Sequence, residues 1–195
     1  MKWIDFERQI KKKGIKLFSP LDVQRFLGRS KMAITFLMHR LKKQGYVESV
    51  KRGLYKLPDA QIPDVYLANK LYEPSYVSLE FALSYHGVIP ETVYEITSVT
   101  PKATRRFETQ GKIYSYRRVK KSAFTGYTTE KQRGLSFFIA DPEKAFVDAN
   151  YFRMRNGLKP ISRFHKEKIH PAKALRYAGL FENEKLISVV KTTLR

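Results

Sequence analysis

The sequence predicts an α+β fold: an N-terminal winged helix-turn-helix followed by an α+β domain with a mainly antiparallel sheet. Three observations carry this reading. Residues 1–58 hold three helical patterns and one short hairpin, in the order a winged helix requires. Strand-like stretches between residues 94 and 140 are interleaved with helical patterns, as in an antiparallel sheet covered by helices. Between the halves lies LPDAQIPD (57–64), whose prolines and aspartates read as a linker, giving domains of 1–58 and 65–195.

The first helix is WIDFERQIKKK (3–13), with Trp3, Ile4, Phe6 and Ile10 on a loose apolar stripe that Gly14 ends. Ser19-Pro20 starts the second, a hydroxyl to cap free amides followed by a proline suited to the first helical position, and Gly28 stops it. Ser30 caps the third, which runs to Gln44 before Gly45. In that helix Ile34, Leu37, Met38 and Leu41 fall at i, i+3, i+4 and i+7, one stripe for packing on the other two. Winding at about 100° per residue turns Lys31, Met32, Thr35, Phe36, His39 and Lys43 to the opposite side.

YVESV (46–50) and LYKL (54–57) then alternate as a hairpin, joined by Lys51-Arg52-Gly53, which leaves Lys51 and Arg52 at a basic tip. A basic tip beside a polar-faced helix suits a phosphate or the minor groove. Ser30 and Lys31 stand where a helix N-terminus meets phosphate. Thr35 and His39 are the expected readers of base edges, and Arg29, Lys43, Lys51 and Arg52 the expected backbone contacts. Met32 and Phe36 either touch thymine methyls or pack, against the first helix or a second copy of the chain.

In the second half, VSLEFALSYHG (77–87) reads as a helix capped by Ser78 and ended by Gly87, with His86 at its C-terminal cap. YEITSVT (94–100), TRRFET (104–109), KIYSYRRV (112–119) and LSFFIA (135–140) read as strands, with Gln110-Gly111 as a hairpin turn. DPEKAFVDANYFRMRNG (141–157) is a helix capped by Asp141 and ended by Gly157. Further helices start near Pro171 and cover 183–194, and Glu80 and Glu143 are first-turn helix charges.

Charge points to the partner. The chain has 38 Lys and Arg against 18 Asp and Glu, a formal net charge of +20, which favours a polyanion. Residues 1–60 carry 15 of those cations against 5 acids, about twice the charge density of the remainder. A second basic patch falls in 101–135 and includes Arg105, Arg106, Arg117 and Arg118. Strand alternation sends Arg105 and Arg106 to opposite faces, so the four share a surface only on a hairpin exposed on both sides. Phe107, Tyr114 and Tyr116 between them are either core or a base-stacking platform.

The wing stretch GYVESVKRGLYKLP, then YVSLEFALSYHGVIPETVYEITSVT, then TRRFET with YSYRRV, and ADPEKAFVD, occur in this order over most of residues 30–150. Taken together they resemble the AbiEi antitoxins of bacterial type IV toxin–antitoxin systems. The resemblance implies an N-terminal winged helix that represses its own operon. It also implies a C-terminal domain that neutralises a nucleotidyltransferase-like toxin.

Catalytic signatures are missing from the sequence. It has no GxGxxG and no GxxxxGK[ST], and no serine is flanked by glycines two residues away on both sides. Without cysteine there is no disulfide, thiolate metal site or cysteine nucleophile, and His165 and His170 are five apart, off one helix face. The expected protein is therefore not an enzyme and carries no metal or cofactor. No apolar run reaches the roughly 20 residues of a membrane span and no signal-peptide core is visible, so a soluble cytoplasmic protein is expected. Its expected partners are operator duplex DNA, a toxin and, where it self-associates, a second copy. The alternatives are an RNA-binding or protein-interaction module, or a nucleic-acid-processing enzyme.

Overall fold

A computed structural model describes residues 2–195, which divide into two compact units, the first ending at Ile62 and the second running from Pro63 to Arg195.

The first unit is a winged helix. Helix α1 (Trp3–Lys12) begins where the Asp5 carboxylate accepts the Lys2 N–H at 2.9 Å. Helix α2 (Pro20–Leu27) carries a capping box: Ser19 Oγ accepts from the Asp22 amide, and the Asp22 carboxylate accepts the Ser19 N–H. Helix α3 (Lys31–Lys43) starts at Ser30, whose Oγ accepts the Ala33 N–H at 3.3 Å. Strands β1 (Glu48–Lys51) and β2 (Leu54–Lys56) pair antiparallel as the wing. Lys51 ends β1 opposite Leu54, so Arg52-Gly53 alone forms the turn, one residue shorter at the tip than the sequence suggested. A third strand position was not anticipated: Phe18 and Tyr55 exchange two backbone hydrogen bonds of 2.9 Å, tying the α1–α2 connection to the wing.

All four α3 stripe residues are buried, against Phe6 and Ile10 of α1, Val23 and Leu27 of α2, Phe18, Val47 and Leu57. Their burial contributes roughly 6–12 kcal/mol in gross terms, which fixes which way α3 faces. Leu57 thus belongs to this core rather than to a linker.

The second unit is a six-stranded mixed sheet with helices on both faces. Its elements are α4 (Asp64–Leu71), β3 (Tyr76–Val77), α5 (Leu79–Tyr85), β4 (Ile96–Thr100), β5 (Arg105–Thr109), β6 (Lys112–Arg118), β7 (Tyr127–Gln132), β8 (Leu135–Ala140), α6 (Pro142–Arg155), α7 (Pro171–Gly179) and α8 (Glu184–Leu194). The strand order is β5-β6-β4-β3-β8-β7. β5–β6, β3–β4 and β7–β8 are antiparallel, whereas β4–β6 and β3–β8 are parallel. The two outer hairpins turn at Gln110-Gly111 and Arg133-Gly134, where both residues of each pair have positive φ, the conformation whose twist matches paired strands.

Register fixes the layers. Tyr116, Ser98 and Val77 lie side by side on one face, where the Tyr116 hydroxyl reaches the Ala68 carbonyl of α4 at 2.6 Å. Tyr76 and Val99 lie on the other, where the Tyr76 hydroxyl meets Asp148 of α6 at 3.1 Å. Helix α6 in turn packs against α5, α7 and α8.

Two sequence expectations need correction. Ser78 occupies the N-cap position of α5 but makes no capping bond; its hydroxyl donates to Asp148 instead, at 2.8 Å. His86 ends α5 as expected, yet its Nε2 lies 2.8 Å from the Ala140 carbonyl of β8 rather than on its own helix.

Candidate nucleic-acid interface

Because the stripe on α3 is buried, the opposite face is exposed: Lys31, Met32, Thr35, Phe36, His39 and Lys43 all lie in solvent. Met32 and Phe36 are 72% and 70% exposed, so packing against α1 does not explain them. Being four residues apart on one helix they are neighbours, and adjoining exposed apolar side chains mark an interaction surface more than either would alone. The Thr35 hydroxyl donates to the Lys31 carbonyl at 2.9 Å, which leaves its oxygen as an acceptor directed outward. Ser30 Oγ is engaged by the Ala33 amide, so the amides of the first helical turn beside it, with the Lys31 ammonium, form the positive end of α3.

The acids of this unit all lie elsewhere. Asp5 and Asp22 cap α1 and α2. Glu7 and Asp59 share Lys11, and Glu48 pairs with Lys56 at 2.8 Å. The hydrogen bond from Lys11 holds the Asp59 carboxyl below its ordinary value. From Val23 to Val47 the sequence has no acidic residue. Among the described residues Arg29, Lys31, Arg40, Lys42, Lys43 and Arg52 have no ion-pair partner. Arg40 and Lys42 flank the face and were missed by the sequence reading, although the acid-free run was there to be seen. Arg52 is exposed at the wing tip, while Lys51 beside it is half-buried.

The second basic patch divides. Arg105 pairs with Tyr116 and Arg106 with Ser115, so Arg105 and Arg118 belong to one face, Arg106 and Arg117 to the other. All four are exposed, and Arg106 is held by Glu108 at 2.8 Å. The aromatics between them form no stacking platform. Tyr114 and Tyr116 are fully buried, their hydroxyls on Asp64 and the Ala68 carbonyl, and Phe107 and Tyr72 pack edge-on against the Tyr116 ring. Burial pushes both phenols well above their ordinary value.

ADPEKAFVD, the other prominent stretch, is a structural hub. Asp141 caps α6 and accepts from Tyr177, while Lys173 bridges Asp141 and Glu143 at 3.0 and 2.9 Å. Lys144 is paired with Asp148, and both are fully buried. A Cβ on Gly126 would lie 2.8 Å from the Tyr177 ring and 2.9 Å from the Lys144 stem, so only glycine admits this packing. Burial raises the Asp148 carboxyl, against the opposing pull of Lys144, Ser78 and Tyr76.

No protein-family model matches the chain, and no curated protein matches it. Among solved structures, the crystal structure of the RV2827C protein from Mycobacterium tuberculosis aligns with a TM-score of 0.58 and 14% identity, covering 96% of this chain and 78% of that one. At that identity the likeness is one of fold.

Proposed function

We propose that this protein is a DNA-binding transcriptional regulator and not an enzyme, its winged helix laying α3 in the major groove. The carrying observation is the α3 face: two exposed apolar side chains, a threonine acceptor and an imidazole, ringed by cations that no carboxylate neutralises. In this docking Thr35 and His39 read base edges, and Met32 and Phe36 meet thymine methyls. Arg29, Ser30, Lys31, Lys43, Lys51 and Arg52 contact phosphates. The resemblance to AbiEi antitoxins supports the further reading that the target is the protein's own operator and that the second unit neutralises a nucleotidyltransferase-like toxin. On this reading the protein works in the cytoplasm, where its operator is. No helix among the described residues is long and apolar enough to cross a membrane.

The test is fluorescence anisotropy with three probes: duplex from upstream of the protein's own gene, a random duplex, and single-stranded RNA of equal length. The proposal expects the upstream duplex to bind tightest, by about 10³-fold or more over random duplex. Equal binding of the two duplexes, or tighter binding of the RNA, overturns it.

A further inference from the structure

The second unit holds a cationic cavity that the winged helix does not explain. Strand β5 begins at Arg105, opposite Tyr116, so the last two residues of β6 run past it. Arg117 and Arg118 pair with Val99 and Thr100 of β4 on one side, and on the other the sheet edge opens. The opening is walled by Pro101 and Thr104, by Lys120 and Lys121 after the strand, and by the C-terminal end of α6, from Tyr151 to Asn156. This half-open hollow has a volume of about 580 Å³, within the roughly 300–1,000 Å³ typical of small-molecule sites.

Its lining is unusual in charge. Five of its eleven lining residues are Arg or Lys, and none is acidic. Lys120 is neutralised by Glu182 at 2.8 Å. Arg117, Arg118, Lys121 and Arg155 have no carboxylate partner among the described residues. Like charges gathered in one concavity repel each other, and an anion seated there would relieve that repulsion. Arginine forks bind phosphate oxygens bidentately, and lysine adds a point charge. Arg155 is already positioned, its guanidinium 5.6 Å from the Tyr151 ring, which itself packs 4.4 Å from Phe181. Four cations without a carboxylate partner border the opening, enough for an anion with several phosphate groups in a row, such as a triphosphate chain, to be contacted at more than one phosphate. Arg117 and Arg118, on opposite faces of β6, meet the opening from either side of the sheet edge, Lys121 follows the strand and Arg155 comes from α6, while Arg105 and Arg106 do not line it. A short hollow of this volume at the end of a strand fits a free anion better than the extended basic groove that tracks a nucleic-acid strand.

We propose that this cavity binds the triphosphate chain of a free nucleotide. The site is independent of the DNA reading, since its residues all belong to the second unit.

The experiment titrates the full chain with inorganic tripolyphosphate by calorimetry, and with N-methylanthraniloyl-ATP by anisotropy, at about 150 mM salt to suppress surface attraction. Saturable one-to-one binding of both is expected. Arg117→Glu with Arg155→Glu should weaken it by about tenfold or more. Lys185→Glu with Lys191→Glu makes the same charge change at exposed positions of α8 and should alter it by less than about twofold. Circular dichroism checks the fold; if the reversed pair misfolds, Lys121→Gln with Arg155→Gln carries the same tenfold expectation. Absence of saturable binding at about 1 mM, or equal loss in the α8 variant, overturns the proposal. So does displacement of the labelled nucleotide by oligothymidylate at a lower phosphate concentration than tripolyphosphate needs, which would assign the cavity to a strand.

Discussion

Ser78 Oγ donates to the Asp148 carboxylate at 2.8 Å, joining residues 70 positions apart across a fully buried space. The same carboxylate takes the Tyr76 hydroxyl and the Lys144 ammonium, so four polar groups satisfy one another where no water reaches. Asp148→Ala leaves the ammonium without a partner and should cost about 3–5 kcal/mol in urea denaturation. Lys144→Met combined with Asp148→Leu removes both charges and should recover part of that loss. A single-variant cost below about 1 kcal/mol would show that the Asp148 carboxylate, through Tyr76, is not what holds α6 to β3.

Glu143 gives this hub a pH signature. Burial works to raise its carboxyl, but hydrogen bonds from Lys173 and the His170 amide outweigh it and hold the group below 4.5. A depressed carboxylate contributes stability above its unfolded value, and that contribution is lost as pH falls through the folded value. Glu143→Gln should therefore lower the thermal midpoint at about pH 7 and converge with the parent only as the pH falls through the depressed folded value. A gap that stays constant over that range would contradict the assignment.

Duplex binding should be steeply salt-dependent. With several unpaired cations around α3 and the wing each displacing a counterion, log affinity should fall against log salt with a slope of about −4 or steeper. A filter-binding titration giving a slope near about −1 would leave too few phosphate contacts for the proposed docking.

Positioning and reading should separate by mutation. Lys51→Ala with Arg52→Ala should weaken operator and random duplex alike and flatten the slope by about one to two units. Thr35→Ala or His39→Ala should cost about 1–3 kcal/mol on operator and little on random duplex. Since the Thr35 proton is committed to the Lys31 carbonyl, Thr35 should favour a base that presents an amino donor, cytosine or adenine. Sequence-selective loss from the wing pair, with neutral helix variants, would reverse the docking.

Division of labour is testable by cutting after Ile62. Residues 1–62 should bind DNA without protecting cells from the toxin, and residues 63–195 should protect without binding operator. The cut respects the division into two units and keeps Asp64 with Tyr114, which it accepts at 3.2 Å. Colony counts on co-expression decide the matter, and protection that requires the winged helix would refute the division.

What the sequence made legible is what local chemistry dictates. Ser19, Ser30 and Asp141 cap where a short oxygen-bearing side chain precedes an apolar period, and the α3 stripe is buried residue for residue. Helix α4 was missed because it is buried at Val65, Leu67, Ala68, Asn69 and Leu71, leaving little stripe to see. Strand β7 was missed for the opposite reason: Tyr127–Gln132 is an edge strand that is almost wholly exposed and shows no alternation. Strand β3, only two residues long, carries no period at all, yet both parallel and antiparallel pairings of the sheet pass through it. The cationic cavity depends on where β5 begins relative to the end of β6, a matter of register that composition does not encode.

On α3, the side chains that hold the helix and those that face outward are disjoint sets. Ile34, Leu37, Met38 and Leu41 anchor it, while Met32, Thr35, Phe36 and His39 make no contribution to the core. Substitutions in the second set therefore leave folding almost untouched, and exposed helix positions tolerate most residues within about 0.5 kcal/mol. Under the proposed docking, the residues that would choose a recognition sequence can therefore be exchanged without passing through an unstable intermediate. The outward face of α3 is thus free to change under selection for what it binds, while the buried face stays under selection for folding.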